Sequence, residues 1–144
     1  MLILLSILFL LTGNENSLEK SVQGYLSNRL TVYEKFEFEL HRIPSPAINS
    51  TIRLVEDNTF KLSGNLGYIP AEIIRNGRTI SSTFITVRLK LYQFTAVAVR
   101  DIQREEELKE ELFKRELIEV SGMRIKPLDI SDKLLSSRAK QFIK

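Results

Sequence analysis

The spacing of hydrophobic positions changes near residue 31, and the change predicts a helix followed by strands. Between residues 18 and 30 the apolar side chains recur three or four positions apart, which is typical of one buried helix face. From residue 33 to residue 43 the period falls to two, and Phe36, Phe38 and Leu40 alternate with polar or charged residues. That alternation predicts a strand with one buried and one solvated face.

Further strands are predicted between residues that favour turns. Pro44 and Pro46 end the first strand, because proline cannot donate to a strand ladder. Asn76-Gly77 is typical of a two-residue hairpin turn, in which both positions need positive φ. This turn should lead into a long strand with Ile85, Val87, Leu89 and Leu91 on one face. The shorter extended segments are predicted at residues 51–55, 59–62 and 67–74.

The alternation of the long strand ends at Gln93, and an almost continuously apolar run follows from Phe94 to Val99. We interpret Gln93 as a bend where the chain leaves one sheet and enters another. The predicted domains are therefore residues 17–92 and residues 93–144. Residues 105–113 are compatible with about two turns of an acidic helix. The predicted fold class is α+β, mostly β, with a helix and a small antiparallel β domain followed by a second β-rich domain with short helices.

The first residues form a short apolar run. Leu2 to Leu11 is apolar except for Ser6, and small and polar residues follow it. At ~1.5 Å per helical residue the run is too short to cross a ~30 Å hydrocarbon core, but it suits the apolar region of a signal peptide. Residues 1–16 are therefore predicted to export the chain. The alternatives are a buried segment and a start codon placed a few residues late.

Composition narrows the chemistry that the chain can perform. The 144 residues carry 21 basic and 18 acidic side chains, a net charge of +3 that is spread along the sequence. Nucleic-acid binding usually needs clustered basic residues, so we expect no nucleic-acid partner. The absence of cysteine excludes disulfides, thiolate catalysis and cysteine-ligated zinc. His41 is the only histidine, and we interpret it as a solvated residue on the polar face of the first strand.

No motif in the sequence supports catalysis. A single histidine without a nucleophile elbow gives no Ser-His-Asp arrangement. The acidic run at residues 105–111 could in principle bind a divalent cation, but such cages usually need a loop with a tight glycine turn. We interpret the run as the solvated start of a helix. We therefore predict no catalytic residue, no metal site, no cofactor and no small-molecule substrate.

The order of several short motifs is similar to that of a known family. The motifs are Val22-Gln-Gly-Tyr-Leu26, Phe36-Glu-Phe-Glu-Leu40, Ile69-Pro-Ala-Glu-Ile73, the Asn76-Gly77 hairpin, Phe84-Ile-Thr-Val-Arg-Leu-Lys-Leu91 and Val97-Ala-Val-Arg-Asp-Ile102. Together they resemble the periplasmic chaperones that assist P-ring assembly in the bacterial flagellum. The resemblance implies that the last motif opens a SAF-type β-clip domain.

The chain departs from this family in two places. Glu105 stands where the family usually has glycine in a turn, although Leu108, Glu111 and Phe113 match the residues expected after it. The family also continues with further strands beyond the position of Lys144. The resemblance therefore implies a partial SAF-like domain in residues 93–144, as expected of a fragment, an early-terminated reading frame or a shortened protein.

The resemblance implies a non-enzymatic role in the periplasm, without stable insertion into a membrane. The chain would hold or guide the P-ring subunit through an unpaired strand edge or an apolar groove. Phe94, Val97 and Val99 are the candidate partner-binding residues, and Gln93 is the candidate hinge. The alternatives are a SAF-domain pilus-assembly protein, which should have a membrane anchor, and a SAF accessory domain of a carbohydrate-acid enzyme, which should accompany a catalytic domain.

Overall fold

The structure is a computed structural model that describes residues 17–57, 59–124, 135 and 138–139. The predicted signal peptide, residues 1–16, lies outside the described residues. Within them the chain forms helix α1 at residues 17–29 and six strands. The strands are β1 Lys35–Arg42, β2 Ser50–Leu54, β3 Lys61–Ser63, β4 Leu66–Arg75, β5 Arg78–Ala98 and β6 Phe113–Glu119. This content confirms the α+β, mostly β class.

The six described strands are connected by pairing in the order β1-β5-β4-β2, with β3 also pairing β4 and β6 also pairing β5. The pairs formed by β2 and β3 with β4, and by β4 and β6 with β5, are all antiparallel. Between β4 and β5, Asn76 has φ 50° and Gly77 has φ 73°. The predicted hairpin is therefore confirmed, and its turn has the positive φ values that favour this dipeptide.

The chain divides into two compact units. Among the described residues the first comprises residues 17–32 and Phe38–Leu89, and the second comprises Tyr33–Glu37 and the residues from 90 onward. Strand β5 contributes residues 78–89 to the first unit and residues 90–98 to the second.

The first unit buries one face of α1 and one face of β5. On α1 the buried side chains recur with helical spacing, and on β5 they alternate, as the sequence predicted. The Tyr25 ring meets the Phe60 ring edge to face at 6.1 Å. A Cβ at Gly67 would lie 3.0 Å from the Leu89 side chain, so this position allows close packing. The buried apolar residues of this unit are Val22, Tyr25, Leu26, Leu30, Ile69, Ala71, Ile85, Val87 and Leu89.

The second unit has a small apolar core of its own. Its buried members are Ile102, Leu108, Leu112 and Ala139, and Ala98 and Phe113 pack against them. Two backbone hydrogen bonds connect the segment at residues 105–106 to Ala139. The Glu105 amide donates to the Ala139 carbonyl at 2.8 Å, and the Ala139 amide donates to the Glu106 carbonyl at 3.1 Å.

The predicted acidic helix at residues 105–113 is wrong. Only Glu110–Leu112 forms a short 3-10 helix, and strand β6 begins at Phe113. Glutamate and leucine favour helix locally, but pairing with β5 and the burial of Leu112 override that preference.

The predicted bend at Gln93 is not a break between two sheets. Strand β5 continues through this residue to Ala98, and its pairing with β6 includes Gln93 opposite Ile118. The role of Gln93 as a hinge stays a prediction.

Candidate partner-binding edge

The predicted binding residues lie in the part of β5 that pairs with β6. Tyr92–Ala98 run antiparallel to Phe113–Glu119, with Tyr92 opposite Glu119 and Ala98 opposite Phe113. At the two ends of this pairing the Val120 amide donates to the Leu91 carbonyl at 2.7 Å, and the Val99 amide donates to the Leu112 carbonyl at 2.9 Å. In an antiparallel ladder such hydrogen-bonded pairs alternate, so the odd-numbered residues of this segment bond to β6.

The even-numbered residues direct their amides and carbonyls to the opposite edge of β5. There the Tyr92 carbonyl accepts a hydrogen bond from the Glu34 amide at 3.0 Å. Beyond this contact, no strand in the described part of the chain pairs with Phe94, Ala96 or Ala98 on that edge. Among the described residues that side of the segment therefore has no paired strand, whereas β6 covers the other side; the use of this edge for binding stays a prediction.

One face of this β-ribbon carries an apolar patch. Phe94 lies directly opposite Leu117, and Ala96 lies opposite Arg115. The Arg115 guanidinium stacks over the Phe94 ring, with its central carbon 4.5 Å from the ring centre. Leu117 is 43% exposed. We call these four residues the Phe94–Leu117 patch; it combines a half-buried phenylalanine and an exposed leucine with a cation, beside a strand edge that no described strand pairs.

The structure does not bring the three predicted binding residues onto one face. Side chains alternate along a strand, so Phe94 and Val97 point to opposite faces of β5. Val97 lies opposite Lys114, whose ammonium pairs with Glu116 at 2.6 Å. Val99 is 51% exposed and follows the end of β5. The face that contains Val97 is therefore more polar than the patch.

Two contributors to the patch, Arg115 and Leu117, were missed by the sequence reasoning. Their segment has charged and apolar residues on both strand faces, so its sequence shows neither the helical spacing nor the alternation that is typical of a strand. No local signal indicated that this segment would pair with β5.

The turn after β5 is held by a charged pair. The Arg100 guanidinium contacts the Glu106 carboxylate at 2.6 Å, and the Gln103 amide donates to the same carboxylate at 2.9 Å. The hydrogen bond from Arg100 is the largest cause that holds the pKa of Glu106 below its usual value, and the pair raises the pKa of Arg100. Glu106, from the acidic run, therefore has a structural partner. His41 is exposed on β1, and within the described ranges no three His, Asp or Glu residues are grouped as metal ligands.

Comparison with solved structures shows a similar fold. The flagellar protein FlgA from Thermotoga maritima MSB8 matches with a TM-score of 0.50 and 19% sequence identity, over 89% of this chain and 47% of that chain. This chain therefore spans about half the length of the solved structure that it matches. Neither a protein-family model nor a curated protein matches the sequence.

The chain thus has a fold similar to that of a flagellar protein, and the SAF-like character of residues 93–144 stays a prediction. At this identity the likeness concerns the fold alone. Among the residues that the structure describes, no helix is both long and apolar enough to cross a membrane.

Proposed function

We propose that this chain is a member of the P-ring assembly chaperone family that binds the P-ring subunit in the periplasm without catalysis. The observation that carries the proposal is the FlgA-like fold, which extends over 89% of the chain. The order of the sequence motifs is a second support, because it depends on residue identities and not on the shape of the fold.

The Phe94–Leu117 patch is the surface that we assign to the subunit. The main chain of an unpaired strand edge can form hydrogen bonds with a partner. The adjacent apolar side chains become buried on binding, which is favourable because apolar surface is removed from water. The Arg115 guanidinium lies over the Phe94 ring and adds a positive charge to this surface. Transient binding of this kind suits a chaperone that must release its client.

The proposal includes the cellular location. Residues 1–16 direct export, and the remaining chain works in the periplasm without stable membrane insertion. The SAF-like character of residues 93–144 is part of the same proposal, as is the use of Gln93 as a hinge.

A pull-down of purified P-ring subunit tests the patch. We expect Phe94→Asp and Leu117→Asp each to reduce capture about tenfold, because each places a carboxylate in the apolar contact. Lys114→Asp is the matched control, since it introduces the same side chain on the opposite face of β6 and should retain capture. Circular dichroism checks that each variant is folded. Undiminished capture by folded Phe94→Asp and Leu117→Asp would show that the patch is not the binding surface, and no capture by the wild type would refute the function.

A further inference from the structure

The first unit contains a groove between helix α1 and strand β2, separate from the Phe94–Leu117 patch. Its volume is about 980 Å³, at the upper end of the ~300–1,000 Å³ found for small-molecule pockets. We propose that an extended segment of the P-ring subunit enters this groove and adds a strand to the free edge of β2. This inference rests on the proposed function, because it assigns the groove to the same partner.

The β2 wall supplies main-chain hydrogen-bonding groups. The Val55 amide donates to the Pro70 carbonyl at 2.9 Å, which places the odd-numbered residues of β2 in hydrogen-bonded pairs with β4. Ile52 and Leu54 therefore direct their amides and carbonyls away from β4. No strand in the described ranges pairs with that edge, and both residues line the groove. An extended peptide is the ligand whose own amides and carbonyls match such an edge.

The side chains of α1 that line the groove are small, which leaves room for a strand. Ser17, Ser21, Gly24 and Asn28 recur along one face of the helix, and all four are exposed and line the groove. A Cβ placed on Gly24 would meet nothing within 4 Å. The Ser21 hydroxyl donates to the Ser17 carbonyl at 3.0 Å, so it is held against the helix.

Tyr25 adds an aromatic ring to the lining of the groove. It is only 3% exposed, its ring meets the Phe60 ring edge to face, and the Arg29 guanidinium lies 5.4 Å from its ring centre. These contacts hold the ring in place before any segment binds.

The charges of the lining favour an uncharged segment. Among the described residues that line it, Lys20 and Arg53 are cations and Glu56 is a carboxylate. Arg53 already pairs with Glu72 at 2.5 Å, so Lys20 and Glu56 leave the lining close to neutral. Ile52 and Leu54 are half-buried, and apolar side chains of the added strand would extend the surface that they form.

A second copy of this chain fits the groove less well than a single strand. The β2 edge of that copy would lie beside its own α1. The two helices would then meet in the space that one added strand requires. We therefore assign the groove to a segment of the partner.

Filling the groove at Gly24 tests the proposal with full-length chain and purified P-ring subunit. Gly24→Leu should weaken subunit binding by about tenfold or more, whereas Gly24→Ala, the matched control, should bind like the wild type. Both substitutions remove a glycine from a helix, so both should raise the unfolding midpoint. A measured midpoint of Gly24→Leu at or above that of the wild type excludes misfolding as the cause of a loss of binding.

A backbone variant tests the added strand itself. Ile52→Pro removes an amide that does not bond to β4, so the fold should persist while binding falls by a similar factor. If Gly24→Leu and Ile52→Pro bind as tightly as the wild type, the groove inference is wrong and the proposed function stands. A wild type that never binds the subunit refutes both. A dimeric wild type that Gly24→Leu converts to a monomer would assign the groove to a second copy and overturn the inference.

Discussion

At the scale of single residues, Glu105 has a backbone conformation that is typical of glycine, the residue that the resemblance led us to expect at this position. Its φ is 64°, in the left-handed region that glycine adopts readily. The resemblance placed a glycine at this position, and the structure keeps the glycine conformation with a glutamate in it. The conformation persists because the Glu105 amide bonds to the Ala139 carbonyl.

Glu105→Gly should therefore stabilise the chain. We expect the free energy of unfolding to rise by about 1 kcal/mol, the usual cost of a non-glycine residue in this region. The lost side chain contributes little, because its contact with Arg104 is 3.7 Å long and exposed. Urea unfolding followed by circular dichroism measures the change. Arg104→Gly, at a position without positive φ, should not stabilise; an equal gain there would contradict the explanation.

At the scale of elements, two leucines in the β6 region, Leu112 and Leu117, differ in burial and therefore in their contribution to stability. Leu112, immediately before β6, is 5% exposed and belongs to the core of the second unit, whereas Leu117 within β6 is 43% exposed. The same residue type therefore has a structural role at one position and a surface role at the other.

Leu112→Ala should lower the free energy of unfolding by about 2–4 kcal/mol, because it removes buried methyl groups and leaves a cavity. Leu117→Ala should cost less than about 1 kcal/mol, since its side chain is largely hydrated already. Urea titrations of the two variants under identical conditions give the comparison. Similar losses would show that β6 buries Leu117 more than the structure indicates.

At the scale of the whole molecule, four half-buried or exposed carboxylates link stability to pH. Their pKa values are lowered mainly by hydrogen bonds, from Lys35 to Glu37, from Thr59 to Asp57, from Arg53 to Glu72 and from Arg100 to Glu106. A lowered pKa in the folded state stabilises that state above the carboxyl group's ordinary pKa. This contribution is lost as the pH falls through the lowered value.

The unfolding midpoint in urea should therefore decrease as the pH falls below about 4.5, the ordinary value for glutamate. Glu106→Gln removes one of these titrating groups, so its midpoint should depend less on pH than that of the wild type. Glu119→Gln serves as the control, because Glu119 is exposed on β6 and lies outside these four pairs. An identical pH dependence in Glu106→Gln and the wild type would contradict the role of the Arg100 pair.

Local patterns in the amino-acid sequence were enough to predict several elements. The helical spacing of Val22, Tyr25 and Leu26, the alternation in β1 and β5, and the Asn76-Gly77 turn each depend on neighbours within a few residues. The α+β class follows from the same local signals, and the absence of cysteine chemistry follows from composition alone.

Contacts between distant residues set where β6 pairs and which residues form the two surfaces, and no local pattern predicts them. Residues 113–119 have no clear hydrophobic period. They form a strand because they pair with β5 and because Leu112, just before them, is buried in the core of the second unit. Leu117 lies opposite Phe94, and Ile52 directs its amide away from β4, because of pairings between residues distant in sequence. Local preference is worth tenths of a kcal/mol per residue, as a rough scale, and pairing and burial outweigh it.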